Sequence, residues 1–151
     1  MGALTIALAE SDEEIEACQP VMAGLRPQYG AAELLARVRL QEREGYRLAV
    51  LREDRIVVAL AGYRIGHNLA WGKYLYVDDL VTDGERRSRG HGRRLMDWLM
   101  DEAARQSCDE LHLDSGVQRF AAHRFYLRYG LDITSHHFRV QLGTTSASAR
   151  R

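Results

Sequence analysis

A turn rich in arginine and glycine, residues 86–94, carries the residue types that hold a phosphate group. Its letters, RRSRGHGRR, follow a β-rich run at 73–82 and precede a helical pattern. The first amide N–H groups of a helix have no partner within the helix, and the helix dipole adds about half a positive charge there. Glycine lets an anion approach these amides without a Cβ in the way. The pattern predicts a phosphate cradle at Gly90 and Gly92, and the alternative is a solvated charge run that merely precedes a helix.

Two well-known phosphate motifs do not fit these letters. A P-loop ends in Gly-Lys-Ser or Gly-Lys-Thr, and the sole lysine of the sequence is Lys73, before the turn. A Rossmann fingerprint needs a third Gly or Ala, where this chain has Leu95. The pattern that does fit is Arg-x-x-Gly-x-Gly at 87–92, placed after a strand and at the start of a helix.

Two adjacent carboxylates, Asp78 and Asp79, interrupt the apolar run before the turn. Aspartate is depleted from strands, and burying it without a partner is costly. Adjacent residues of a regular strand face opposite sides, so only one of the two would reach a given cleft unless a bulge relaxes that limit. The pair therefore indicates either a functional acid or aspartates that face solvent or form salt bridges.

The surrounding elements predict a mixed α/β sheet. A strand, a helix and a strand across 73–116 indicate a crossover with a parallel strand pair, whereas the hairpin at 46–65 makes the rest antiparallel. The predicted elements are strands at 4–8, 46–52, 55–66, 73–82 and 110–116, helices at 11–22 (broken or kinked at Pro20), 31–45, 90–106 and 119–130, and one or two last strands in 131–142. We expect one domain over 1–143 and a polar tail at 144–151.

Composition narrows the class of protein. The formal net charge is zero, which argues against a nucleic-acid partner because phosphate contacts need a basic face. No apolar run approaches the ~18 residues of a membrane helix, and the first residues lack a signal-peptide pattern. Cys18 and Cys108 are too few for a disulfide scaffold and no histidine pair has metal-site spacing, so we expect a cytoplasmic protein without a metal.

In two stretches the sequence resembles the GNAT superfamily of acyl-CoA-dependent N-acetyltransferases. They are YLYVDDLVTDGERRSRGHGRRLMDWL at 74–99 and AAHRFYLRYGL at 121–131, which match the family's coenzyme-binding turn and catalytic helix in order and spacing. The resemblance covers 60–140 well and the first 45 residues only by element order. It implies a mixed, mostly antiparallel central sheet with a splayed parallel strand pair and helices on both faces, and acetyl-CoA as cosubstrate.

The resemblance also implies a coenzyme site. The pantetheine arm would pair with the backbone of residues 80–82, and the diphosphate would sit on the amides of the turn. The residues expected to bind the coenzyme are Leu80, Val81, Thr82, Arg87, Ser88, Arg89, Gly90, His91, Gly92 and Arg93.

Three candidate catalytic residues follow from the same resemblance. Tyr126 matches the family's general acid in the Phe-Tyr pair. Asp78 matches the suspected base of polyamine acetyltransferases, with Asp79 or an ordered water as alternatives. Arg119 departs from the family, which often has Asn there, so that coenzyme contact is in doubt.

Three functions remain open from the sequence alone. The leading one is acetylation of a primary amine, on a small molecule or a peptide, and the others are a non-catalytic acyl-CoA-binding module and a nucleotide- or RNA-binding domain. The acids near residue 78 hint at a cationic acceptor, but no motif identifies it. Family members often pair through edge strands, so a homodimer is possible.

Overall fold

The computed structural model describes residues 2–87 and 89–143, and the chain divides into two compact units. We call Met1–Leu113 the sheet unit and Asp114–Arg151 the C-terminal unit. The single domain expected over 1–143 stays a prediction. Ser88 and the expected tail at 144–151 lie outside the described residues.

The sheet unit is built on five strands in the order β1-β2-β3-β4-β5. All neighbours pair antiparallel except β4 and β5, which are parallel and are joined through helix α4. This confirms the predicted mixed, mostly antiparallel sheet and its crossover. The strands are β1 Leu4–Leu8, β2 Arg47–Glu53, β3 Ile56–Asn68, β4 Gly72–Thr82 and β5 Glu110–Leu113, and α4 is His91–Arg105.

Three helices follow β1, and local sequence signals fix their ends. The Ser11 side chain accepts a hydrogen bond from the Glu14 amide, while the Glu14 carboxylate accepts one from the Ser11 amide, a capping box that starts the first helix. The helix breaks before Pro20, as predicted, and Pro20 lies in the first turn of the next one, where its missing N–H costs nothing. The helices are α1 Asp12–Glu16, α2 Gln19–Met22 and α3 Ala31–Glu42.

Helices cover both faces of the sheet. Leu48, Val50 and Leu60 belong to one buried cluster with residues of α1, α2 and α3. Because alternate strand residues point to opposite faces, Tyr63 lies on the other side, where its hydroxyl donates to the Glu102 carboxylate of α4. The predicted two-sided packing is therefore confirmed for the sheet unit.

Between residues 114 and 143, the described part of the C-terminal unit, there is one helix, α5, Phe120–Tyr129, which ends at Gly130 in the left-handed conformation (φ 114°). The last strands expected in 131–142 are absent, since residues 131–143 adopt neither helix nor strand. The alternation of Phe138, Val140 and Leu142 is a real strand signal, but a strand forms only beside a hydrogen-bonded neighbour. The prediction was wrong because alternating apolar side chains do not by themselves provide a second strand with which residues 131–142 could pair.

Both cysteines are free thiols in the sheet unit. Cys18 is fully buried, and burial raises the pKa of its thiol to about 12, so it is an inert part of the core. A search of the described residues finds no helix long and apolar enough to span a bilayer and no cluster of ligands suited to a metal ion. A cytoplasmic location stays a prediction.

Candidate active site

A β-bulge places both aspartates of β4 in one cavity. Gly62 pairs with Asp79 and Tyr63 with Val77, so Asp78 is an extra residue without an opposite partner on β3. A bulge re-aims side chains that a regular strand would send to opposite faces. Asp78 and Asp79 accordingly both line a cavity of about 280 Å³ in the sheet unit. The sequence left this bulge open as a possibility.

The cavity lies between β4 and the helices before β2. Its apolar wall is formed by Met22 from α2 and by Leu34 and Val38 from α3. Its polar wall includes Arg26, from the loop between these helices, and Arg37 from α3. The cavity thus combines two cations, two carboxylates and an apolar side within reach of one small ligand.

Asp79 has both carboxylate oxygens engaged. Arg26 Nε donates to Oδ1 at 2.9 Å, and the Tyr46 hydroxyl donates to Oδ2 at 2.8 Å. Burial, together with the negative charge of Asp79, raises the pKa of Tyr46 well above its usual range, so Tyr46 keeps its proton. Asp79 is therefore a fixed acceptor that ties the loop at Arg26 and the buried Tyr46 to β4.

Asp78 is less fully occupied. Its Oδ2 accepts a hydrogen bond from Arg64 Nε at 2.9 Å, and no donor to Oδ1 is found in the described parts of the chain. Burial raises the pKa of Asp78, and the Arg64 guanidinium opposes that rise. Asp78 therefore has one carboxylate oxygen, Oδ1, that can accept a hydrogen bond from a ligand in the cavity without competing with a protein donor.

Gly62 makes the Tyr46–Asp79 contact possible. A Cβ at position 62 would lie 1.8 Å from the Tyr46 hydroxyl oxygen, so the phenol reaches Asp79 only because residue 62 has no side chain. We expect Gly62→Ala to displace Tyr46 and to lower the free energy of unfolding by about 2 kcal/mol, in the range of overpacked cores. Urea unfolding measures this.

Gly84→Ala is the matched control for that substitution, because open space surrounds a Cβ at position 84. We expect its unfolding midpoint to stay close to that of the unmodified protein. Equal midpoints for the two variants would show that the Tyr46 contact does not depend on the glycine.

The edge of β4 is open beyond the bulge. Leu80, Val81 and Thr82 pair with β3, through Ala61, Leu60 and Ala59 respectively. Strand β5 pairs with β4 only from Tyr74 to Val77. Within the described ranges, the backbone of residues 80–82 therefore has a strand neighbour on one side alone, an edge of the kind with which an extended ligand can pair.

The glycine-rich turn leads from this open edge into α4. Gly90 is the N-cap, with φ of 79°, and no side chain caps the helix. The first helical hydrogen bond runs from the Arg94 amide to the Gly90 carbonyl at 3.1 Å. The amides of the first turn before Arg94 thus have no acceptor within the helix, and they form a cradle for an anion.

The arginines of the turn do not act as one cluster. Arg86 points back into the fold, with Nε 3.3 Å from Asp83 Oδ2 and Nη1 3.7 Å from Glu53 Oε2. The His91 ring is also buried, and burial lowers its pKa, so His91 is neutral near pH 7 and adds no positive charge to the turn. The remaining arginines there are exposed, namely Arg87, Arg89, Arg93 and Arg94.

Tyr126 lies on α5 in the C-terminal unit and is half-buried. Burial raises the pKa of its phenol, and the nearby positive charge of Arg119 partly offsets that rise. The phenol is therefore protonated at neutral pH and can serve as a proton donor. Arg119, where the family often has Asn, lies at the N-cap of this helix.

Sequence reasoning missed the residues that hold the aspartates. Arg26 and Tyr46 bind Asp79 across sequence separations of 53 and 33 residues, and Arg64 binds Asp78 across 14. Buried carboxylates require partners, so the need for cations was predictable, but the topology decides which arginines meet them.

Comparisons with known proteins agree with this geometry. The chain matches the Acetyltransferase (GNAT) family over residues 11–131. It is 35% identical over 131 residues to the uncharacterized N-acetyltransferase YhdJ of Bacillus subtilis (strain 168), covering 85% of this chain and 92% of that protein.

Solved structures share the fold. An aminoglycoside N-acetyltransferase, AAC(6')-Iy in complex with CoA, superposes with a TM-score of 0.82 at 13% identity, covering 94% of this chain and 96% of that one. A GNAT family acetyltransferase of Staphylococcus aureus subsp. aureus USA300_TCH1516 gives a TM-score of 0.79 at 20% identity, covering 94% of this chain and 100% of that one. At these identities the likeness concerns the fold.

Proposed function

The chain belongs to the GNAT family of N-acetyltransferases, and from that membership we propose that it transfers the acetyl group of acetyl-CoA to a primary amine by direct attack. The observation that carries the proposal is the continuity of the open β4 edge at 80–82 with the uncapped N-terminus of α4. An extended arm and a diphosphate are the two parts of coenzyme A that such a surface would hold.

The residues present fit coenzyme A. A Cβ at Gly90 would point into open space, so the approach to the first-turn amides is clear, and the left-handed φ favours glycine there. We assign the pantetheine arm to the backbone of Leu80, Val81 and Thr82. We assign the diphosphate to the amides of residues 89–93, with the exposed Arg87, Arg89 and Arg93 adding positive charge. Because the main chain supplies the hydrogen-bond donors, we expect substitutions of the glycines to weaken coenzyme binding more than substitutions of the arginines.

The coenzyme supplies an acetyl thioester, and the protein must manage two protons. The amine nitrogen bonds to the acetyl carbon, the carbon–sulfur bond breaks, one proton leaves the nitrogen and one reaches the sulfur. An alkylamine has a pKa near ~10, so it needs a base at neutral pH. We assign this role to Asp78, acting directly or through a water, because its Oδ1 is unengaged and its pKa is raised. Both oxygens of Asp79 are occupied, which leaves it a positioning role.

Tyr126 is the proposed proton donor to the departing sulfur. A thiol has a pKa near ~8.5, below that of a phenol, so the phenol must be held protonated and close. Burial of Tyr126 supports the first condition by raising its pKa. Its position in the Phe-Tyr pair of α5 matches that of the family's general acid.

Substitutions of the two aspartates distinguish the proposed base, Asp78, from the proposed positioning residue, Asp79. We expect Asp78→Asn to lower kcat/KM about 100-fold at neutral pH, which is the usual loss of rate when a general base is removed. The loss should shrink as the pH rises toward the pKa of the amine, because more acceptor is then neutral without help. Initial rates of free-thiol release between pH 6 and pH 10 would measure it.

Asp79→Asn is the matched comparison, since it removes one charge from the same bulge. We expect it mainly to lower the unfolding midpoint, because it weakens the acceptor of Arg26 and Tyr46. A loss for Asp78→Asn that does not change with pH would argue against a base at this position.

A panel of primary amines tests the function itself. The purified protein, acetyl-CoA and each amine are assayed for thiol release, and mass spectrometry identifies the acetamide. We expect amine-dependent thiol release with at least one acceptor class. Tight coenzyme A binding without turnover of any amine would instead indicate a non-catalytic acyl-CoA-binding module.

A further inference from the structure

We propose that the amine acceptor is a small zwitterion, an α-amino acid with an apolar side chain, whose carboxylate is held by Arg26 and Arg37. The inference rests on the proposed function, because it takes the 280 Å³ cavity beside Asp78 as the acceptor pocket. It narrows the acceptor from any primary amine to one that carries an anionic group near the nitrogen.

The carboxylates of the cavity leave room for a single ammonium group. Asp79 is paired with Arg26, and Asp78 is paired with Arg64, each at 2.9 Å. Only Oδ1 of Asp78 is without a donor in the described residues. A polyamine would bring a second ammonium into a pocket whose carboxylates are already neutralised, and desolvating that charge without a partner is costly.

Guanidinium groups at the pocket offer donors to an anion. Arg26 uses Nε on Asp79 and Nη2 on the Asp78 carbonyl, and no partner of its Nη1 is found in the described ranges. Arg37 lines the same cavity, and its ion pair to Glu33, at 3.4 Å, joins two exposed side chains and is therefore weak. The Tyr29 ring, 5.6 Å from the Arg37 guanidinium carbon, helps to hold that side chain at the pocket. Two such groups suit a carboxylate, which accepts several charged hydrogen bonds.

The size and apolar wall of the pocket limit the rest of the acceptor. A volume of about 280 Å³ lies just below the usual range for small-molecule sites, ~300–1,000 Å³, and so favours a small acceptor. Met22, Leu34 and Val38 line this space with the 2–4% of their surface that the core leaves exposed, and an aliphatic side chain would cover that remainder. An amine, a carboxylate and a short apolar group together describe an aliphatic amino acid.

A matched pair of acceptors tests the proposal: L-leucine and isopentylamine, which is leucine without its carboxylate. We expect kcat/KM for leucine to exceed that for isopentylamine by at least 10-fold. A difference of that size corresponds to about one charge-assisted hydrogen bond to the carboxylate. Spermidine should be a poorer acceptor than leucine. Arg37→Gln should remove most of the preference for leucine over isopentylamine.

Arg43→Gln is the control variant, because Arg43 follows α3 as its C-cap and does not line the cavity. It should keep the full preference for leucine. The proposal is overturned if isopentylamine is acetylated as well as leucine, if spermidine is preferred, or if Arg37→Gln keeps the preference. In each of those cases amine acetylation itself would still stand.

Affinity measurements test the zwitterion pocket if the protein acetylates neither amine. Leucine and isopentylamine are then titrated calorimetrically into the protein saturated with coenzyme A. Tighter binding of leucine, lost in Arg37→Gln, would support the zwitterion pocket even though the proposed reaction had failed. Equal binding, or none, would overturn it.

Discussion

Replacing Gly90 by valine is expected to weaken coenzyme A binding about 30-fold, or ~2 kcal/mol. Gly90 has φ of 79°, a left-handed conformation that costs a residue with a Cβ ~1–2 kcal/mol. The new side chain would also project into the open space through which a diphosphate must approach the first-turn amides. Calorimetric titration of coenzyme A into each protein measures the change in Kd.

Gly45→Val separates strain from coenzyme binding. Gly45 also has a left-handed φ, of 95°, and open space around a Cβ, but it lies between α3 and β2 rather than in the turn. We expect this variant to lose stability in urea while its Kd for coenzyme A stays within about twofold, less than ~0.5 kcal/mol. If the two valine variants bound coenzyme A equally well, the turn would not be the diphosphate site.

Tyr126→Phe is expected to lower kcat by about 100-fold or more while leaving the Kd for coenzyme A nearly unchanged. The substitution removes only the hydroxyl, and loss of a general acid typically costs ~10²–10⁴ in rate. Because the pKa of Tyr126 is raised above its ordinary value of 10.0, the phenol of the native enzyme should be a proton donor at neutral pH. Steady-state rates with saturating acceptor measure the change in kcat, and calorimetry measures the Kd for coenzyme A.

Tyr129→Phe is the control on the same helix. It should keep kcat close to that of the native enzyme. Equal losses in the two variants would mean that α5 tolerates neither change for structural reasons. Full activity of Tyr126→Phe would mean that the sulfur obtains its proton from elsewhere.

The parts of the fold that sequence predicted are those encoded locally. The run from β4 through the turn into α4 is specified by an apolar strand, a left-handed glycine and a helical stripe within thirty-four residues, Gly72–Arg105. The capping box at Ser11 and the break at Pro20 are likewise local, so both predictions were confirmed. Each of these signals acts over one or two turns of chain.

The parts that failed or stayed open depend on distant residues. The expected last strands need a neighbouring strand, which residues 131–143 lack in the structure. The role of Asp78 relative to Asp79 depends on a bulge in the pairing with β3 and on arginines brought in by the topology. The sequence indicated that two acids within an apolar strand need partners, but not that both oxygens of Asp79 accept hydrogen bonds and only one oxygen of Asp78 does.

Titration of coenzyme A and its fragments into the native protein tests the central claim most directly, namely that the N-terminus of α4 holds a diphosphate. The account predicts that coenzyme A and dephospho-coenzyme A both bind with measurable heat, and that pantetheine, which has the arm but no diphosphate, binds far more weakly. Absence of heat with coenzyme A, or pantetheine binding as tightly as the full coenzyme, would contradict it.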